Sequence, residues 1–330
     1  MNIPANAKYA IIREMTMRDN NRLNLSWLCE TAGVSRSGYY SYLQNEAKRQ
    51  KREEADRNDF LLIVEAYKYR GYDKGAKGIK MRLLHLKPPV IMNLKKIRRL
   101  MKKYRLLCPI RKANPYRRMA KELKTSNVAP NLVKRQFEAH GPRNVLLTDI
   151  TYIPYKDSGK CYLSTILDAF TKQILAWVLS DSLEVDFVLE TVESLARDHG
   201  KEITSATILH SDQGCHYTSY KFIELLKNKG LRQSMSRKAN CWDNAPQESF
   251  YGHMKDEIGP KIKECSIFEE IKVIITDWMS YYNKERYIWD LARLSPDEFY
   301  EYYTTGVYPI SGVKPPKDAP ALPNTIAQQT

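Results

Sequence analysis

Several things are scarce in this 330-residue sequence, and each scarcity closes off a class of function. No apolar run approaches the roughly 18 residues that a membrane-spanning helix needs, so no membrane partner is expected. The N-terminus has no signal-peptide core, because Arg13, Glu14, Arg18 and Asp19 interrupt it. Six cysteines (Cys29, Cys108, Cys161, Cys215, Cys241 and Cys265) are scattered without a Cys-x-x-Cys pair. That argues against a zinc site or a disulfide framework and for a reducing cytoplasm. No long heptad run is present, and no serine or tyrosine nucleophile motif. Acid is the last scarcity. Between residues 95 and 135 fifteen lysines and arginines face one acid, Glu122, so this window carries +14 of a net +15. With no acidic counter-face in view, such a block predicts a polyanionic partner, above all double-stranded DNA. A solvated basic surface is the alternative.

Hydrophobic content of 43% is enough for real cores, and the length allows two or three domains. Three carboxylates stand where carboxylates are costly or unusual. Asp149 interrupts the apolar run of Val145, Leu146, Leu147, Ile150, Tyr152 and Ile153, which reads as a buried strand. An unpaired charge there costs several kcal/mol, and a divalent cation removes that cost. Asp212 follows a second apolar run, 206–209, with Gly214 just beyond. Glu248 lies on a helix-like segment over about 243–257, opened by Asp243 and Asn244 with an early proline. Two strand-borne aspartates and one helix-borne glutamate can converge on one point. Hard oxygen ligands of this kind suit Mg²⁺, with Mn²⁺ as a substitute. The bland readings are a strand aspartate bonded to backbone amides, a loop-capping aspartate and a solvent-facing glutamate.

Taken in order, residues 1–56 read as a helix-turn-helix-like region. Leu25 to Ala32 is one helix, Gly33 the tight turn and Ser35 the cap of the next; a plain helical hairpin has the same outline. Residues 46–59 read as a charged connector. Residues 57–112 read as a second small helical module with helices at 59–68, 76–86 and 94–105. In the last, Ile97, Leu100, Met101 and Tyr104 make an apolar stripe, and Lys95, Lys96, Arg98, Arg99, Lys102 and Lys103 occupy the rest. That pattern suits a helix laid against DNA, or a basic surface helix with no groove contact. Residues 113–140 read as a basic linker, 141–310 as a mixed α/β core with C-terminal helices, and the Pro-rich 311–330 as a disordered tail. Within the core, strands are expected at about 145–155, 160–168, 172–180, 206–210 and 231–236. Helices are expected at 186–199, 219–228, 243–257 and 265–283, with a turn at 156–159.

Thirty-five residues separate Asp212 from Glu248. With Asp149 they reproduce the Asp, Asp, 35, Glu pattern of retroviral-integrase-like transposases. The flanking words "TDITYI", "YLSTILDAF", "HSDQGCHYTS", "SMSRKANCWDNAPQESFYGHMK" and "YYNKERY" agree in order and spacing. The chain resembles, over about residues 1–300, the second-frame product of insertion-sequence transposases with two overlapping reading frames. The resemblance implies an RNase H-like core behind all-α DNA-binding modules, and two metal ions held by Asp149, Asp212 and Glu248. It also implies terminal inverted repeats and target DNA as substrates, a circular intermediate, homo-oligomerisation on DNA and a first-reading-frame partner. Lys255, seven residues past Glu248 on the same helix face, is a candidate for gripping the element end, or an ordinary surface lysine. Asn244, Arg237 and Lys238, in the polar stretch 237–246 beside the site, are further DNA candidates; for Asn244 a helix cap is the alternative. Asp168 is read as structural, and the roles of His210, Asn283 and Arg286 stay open. Two other classes remain: a DNA-binding regulator without catalysis, which leaves the three acids unexplained, and a ribonuclease H-type enzyme, which would not join strands. Mg²⁺-dependent nicking and joining of DNA separate them.

Overall fold

Cap chemistry sets the first helices. The computed structural model describes residues 3–19, 22–71, 75–108, 128–134, 136–137, 140–156, 159–237 and 244–323. Helix α1 spans Ala5–Thr16. The Asn24 side chain accepts the Ser26 N–H and opens α2, Leu25–Ala32. Gly33 closes it at φ 64°, a left-handed conformation that glycine adopts without strain. Ser35 then accepts the Gly38 N–H and opens α3, Arg36–Gln44. The expected succession of helix, turn at Gly33 and helix is present, held by Ile12, Leu28, Cys29 and Tyr39; it is shared by a helix-turn-helix and a plain helical hairpin. Next come α4 (Glu46–Lys68), α5 (Ala76–Leu84) and α6 (Leu94–Lys103).

Two compact units result: Met1–Ala66 with Lys95–Leu107, and Tyr67–Leu94 with Cys108–Thr330. This division corrects the expected segments. The boundary at 56/57 falls inside α4, which runs unbroken through the expected connector. The 57–112 module is split, because Leu84 of α5 is buried with Leu291, Leu294 and Phe299 of the second unit.

In α6, Ile97, Leu100 and Met101 are buried as the stripe predicts. Tyr104, just past its end, stacks on Phe60 of α4 with ring centroids 4.3 Å apart. The expectation of no acidic counter-face is wrong. Lys96 pairs with Asp59, Arg99 forks onto Asp56 at 2.6 and 2.7 Å, and Lys103 reaches Glu53 at 2.5 Å and Asp56 at 2.9 Å. A window read along the sequence sees only local charge, and these acids lie some forty residues upstream.

The second unit is built on strands β1 (Val145–Tyr155), β2 (Gly159–Asp168) and β3 (Ile174–Ser180), followed by α7 (Asp186–His199), β4 (Ile208–Ser211), α8 (Tyr220–Asn228) and β5 (Arg232–Met235). Helices α9 (Ala245–Glu264), α10 (Phe268–Lys284) and α11 (Pro296–Thr305) complete it. The sheet order is β3-β2-β1-β4-β5; β1 runs antiparallel to β2 and parallel to β4. The expected RNase H-like arrangement is therefore present. Both faces are covered, which explains the near-continuous apolar strands. Val145 and Leu147 pack with Phe250, Met254 and Trp278 of α9 and α10. Leu146 packs on the opposite face with Val188, Val192, Phe222 and Leu226 of α7 and α8.

Several expectations need adjusting. Helix α9 continues past the expected end at 257 and through Pro260. Residues 128–134 are not a free linker: Val133 is buried in the core, the Leu132 N–H donates to Ser234 Oγ at 2.9 Å, and the Met235 N–H donates to the Pro130 carbonyl at 3.4 Å. The tail is ordered through 323, where Val313, Ala319 and Leu322 pack against the Phe299 cluster and Asp318 pairs with Arg293 at 2.8 Å. Residues 324–330, the turn residues 157–158, and the stretch 109–127 with six of the fifteen cations lie outside the described residues. Among the described residues no helix is long and apolar enough to cross a membrane.

Candidate active site

Strand parity and register place the first two acids. Val145 and Leu147 point to the α9 face, so Asp149, of the same parity, does too. In the parallel pair β1·β4, Leu147 stands opposite His210. Asp149 and Asp212 each lie two residues further on, so they leave neighbouring strands at the same level. The third acid comes from the helix packed on that face. Tyr251, one turn past Glu248, donates its hydroxyl to the Asp149 carbonyl at 2.6 Å. That bond registers α9 on β1 and fixes the level at which Glu248 stands. Gln247 is fully buried and donates to Thr165 of β2, whose hydroxyl lies 2.8 Å from Tyr251 Oη.

The electrostatics match this convergence. The Asp149 carboxyl is pushed up to about 8, first by burial, then by the Asp212 charge and further by Glu248. Lys255 works weakly against the rise. Two buried phenols beside it, Tyr251 and Tyr217, are raised as well, by burial and then by the Asp149 charge. Each aspartate is steadied locally. Asp149 Oδ1 accepts the Ile150 N–H at 2.8 Å, and Asp212 Oδ1 accepts the Gly214 N–H at 2.9 Å. A Cβ at 214 would sit 2.9 Å from that same oxygen, so a larger residue there would push on the Asp212 carboxylate. Among the described residues no three His, Cys, Asp or Glu side chains stand close enough to hold an ion by themselves. The donor chemistry nevertheless fits a hard divalent cation: three oxygen ligands that repel one another are relieved by positive charge. Such ions commonly take a few carboxylates and complete their shell with water and phosphate oxygens.

Comparison with known proteins bears on what this site serves. Two models of the integrase core domain match residues 139–241 and 229–296. The putative transposase InsK for insertion sequence element IS150 of Escherichia coli K12 is 32% identical over 277 residues, covering 83% of this chain and 93% of that protein. The chain belongs to the insertion-sequence transposases with an integrase core. The insertion element IS600 uncharacterized 31 kDa protein of Shigella sonnei is 30% identical, covering 84% of this transposase and 98% of that protein. Among solved structures, the HTLV-2 integrase catalytic core domain in complex with magnesium superposes with a TM-score of 0.37 at 14% identity, covering 48% of this chain and 96% of that one.

The remaining sequence-derived residues of the transposase separate clearly. Asp168 is structural, as read: it is fully buried and takes the Arg143 N–H at 2.9 Å and the Arg143 guanidinium at 2.8 Å. His210 is packed inside, its Nδ1 2.9 Å from Ser234 Oγ. Asn283 pairs its carboxamide with both the N–H and the C=O of Ile174 at 2.9 and 2.8 Å, and Arg286 donates to Glu257 at 3.0 Å. Both are architectural. Lys255 and Arg237 are exposed, and Lys238 lies outside the described residues. Asn244 does not cap α9 through its side chain. It is buried, and its Oδ1 has no hydrogen-bond partner among the described residues. Sequence reasoning missed Tyr251, Thr165, Gln247 and Tyr217. For Tyr251 a signal existed, since it stands at i+3 from Glu248 on one helix face.

Proposed function

We propose that this transposase binds the terminal inverted repeats of its own element and cuts and joins DNA there, with Asp149, Asp212 and Glu248 as the catalytic acids. The observation that carries this reading is the mutual influence of the three acids: burial, then the Asp212 and Glu248 charges, lift the Asp149 carboxyl to about 8. Acids that raise one another in this way are relieved by bound cations. Asp149, Asp212 and Glu248 would hold divalent ions, whose chemistry when bound would be to activate the attacking oxygen and stabilise the leaving one. In the first step the oxygen of water bonds to phosphorus as the P–O3′ bond breaks, leaving a 3′-hydroxyl and a 5′-phosphate. In the second, that 3′-hydroxyl attacks a phosphodiester of another strand, and one P–O bond replaces another.

The chain's own residues supply position. Asp149 and Asp212 present carboxylates from adjacent parallel strands, and Tyr251 holds α9, with Glu248, at their level. Lys255 is placed two turns along α9, about 10.5 Å from Glu248 by helix rise, where it meets a neighbouring nucleotide of the element end. An element has two ends and each chain one such site, so the working form on DNA is a homo-oligomer; a first-reading-frame product is a second partner. The test is a labelled terminal-repeat duplex incubated with the full chain and Mg²⁺ or Mn²⁺. Metal-dependent strand cleavage followed by joined product is expected. Metal-dependent binding without cleavage would reduce the chain to a regulator, and cleavage of RNA–DNA hybrids without joining would make it a ribonuclease.

A further inference from the structure

Helix α6 carries six cations, and the structure does not treat them alike. At about 100° per residue, Ile97, Leu100, Met101 and Tyr104 define the inner face. Lys96, Arg99 and Lys103 fall on one flank, Lys95, Arg98 and Lys102 on the other. Every member of the first flank is ion-paired to α4: Lys96 to Asp59, Arg99 to Asp56, and Lys103 to Glu53 and Asp56. Asp56 is only 5% exposed, and the Arg99 guanidinium, followed by Lys103, holds its carboxyl far below the usual carboxylate range. Neither Arg98 nor Lys102 makes a salt bridge or hydrogen bond among the described residues, and both are exposed.

We propose that the two flanks do different work: Lys96, Arg99 and Lys103 clasp α6 to α4, and Arg98 and Lys102 are the row that meets the phosphates of duplex DNA. This rests on the reading of the chain as a DNA-binding transposase and narrows it. A cation already forked onto a nearly buried carboxylate cannot turn to a phosphate without leaving that carboxylate unpaired in a poorly solvated place. A solvated arginine or lysine faces no such cost, and each phosphate it neutralises releases condensed counterions from the DNA. Arg98 and Lys102 stand one turn apart, about 6 Å along the helix, so they form a row that follows a phosphate backbone. The salt dependence of binding therefore belongs to one row, and helix packing to the other.

Two double variants of equal charge separate the roles: Arg98→Gln with Lys102→Gln, and Arg99→Gln with Lys103→Gln. The full chain is titrated onto a labelled duplex at several NaCl concentrations, and each variant is melted without DNA. The first pair is expected to lower the log–log salt slope by about 2 and leave the melting temperature unchanged. The second is expected to lower the melting temperature and leave the slope within error of the parent. The single variants Arg98→Gln and Lys96→Gln repeat the contrast if the second pair does not fold. Equal slope loss on both flanks, or loss confined to the clasp, overturns the assignment while leaving the transposase reading intact. No salt-dependent duplex binding by the parent chain overturns both.

Discussion

Two acidic clusters in this protein are handled in opposite ways. Asp56 is almost buried and fully compensated, with Arg99 and Lys103 on its oxygens, and its carboxyl is held far below its ordinary value. Asp149 is partly buried among other acids, and its carboxyl is pushed up to about 8. The first cluster is complete within the chain, so its charge goes into holding two helices together. In the second, burial and the neighbouring acids act together on Asp149, so a bound cation would relieve it. Charged residues that look alike in a sequence thus differ by what the fold sets against them: cations at Asp56, other acids at Asp149.

The sharpest way to break this comparison is to remove charge from each cluster. Asp149→Asn, Asp212→Asn or Glu248→Gln is expected to lower cleavage and joining of a terminal-repeat substrate by on the order of 10³. Duplex binding should survive with little change. Substantial metal-dependent activity in any one variant removes that residue from the site. Asp56→Asn is expected to do the reverse, sparing the chemistry and costing about 1–2 kcal/mol of stability, a modest figure because Arg99 is half exposed. The sign with pH follows from the depressed folded value. The contribution is present above the unfolded carboxyl pKa of about 3.9 and is lost as pH falls through the lower folded one. Thermal melts at pH 7 and at successively more acid pH should show the gap between parent and variant closing only under strong acid.

Much of this was legible in advance, for identifiable reasons. The strands expected at about 145–155 and 160–168 announce themselves by apolar runs on either side of a turn, and α7 by its periodicity; in each the local pattern and the packing agree. The clasp was not legible, because Glu53 and Asp56 meet Lys103 only after the chain folds back. Helix α11 was missed although Ser295 and Glu298 form a capping box at its start, a signal that local reading can find. The ordered tail was misread because proline was taken as a mark of disorder, whereas Val313, Ala319 and Leu322 supply enough apolar contact to fix it. The carboxylates of the site were visible as anomalies. The support beneath them was not, since Thr165, Gln247 and Tyr251 come from β2 and α9 and read as ordinary core.

Two smaller effects sharpen the comparison. Tyr251→Phe deletes the hydroxyl bonded to the Asp149 carbonyl and keeps the ring in place. Roughly a tenfold loss of joining is expected, about the worth of one hydrogen bond, with a raised Mg²⁺ midpoint and little change in melting. Unchanged activity and midpoint would show that α9 needs no such register. The last effect is a proton count. With its carboxyl at about 8, Asp149 is largely protonated at pH 7 in the metal-free protein, and a divalent ion must displace that proton. Calorimetric titration with Mg²⁺ in two buffers of different ionisation enthalpy should report close to one proton released at pH 7, falling away above pH 8. Apparent affinity should rise with pH over the same range. Heats independent of the buffer would return Asp149 to an ordinary ionised carboxylate.

The sheet borders have a consequence of another kind. At β3 the Asn283 carboxamide takes both the N–H and the C=O of Ile174, as a neighbouring strand would. At β5 the segment 129–132 lies against Ser234 and Met235 without forming a strand. Each outer ladder therefore begins on groups already occupied by something that cannot itself be extended. A stray chain adding a sixth strand would have to displace these contacts at the first rung of each border. An edge blunted at its first rung is a poorer template for unlimited growth of the sheet.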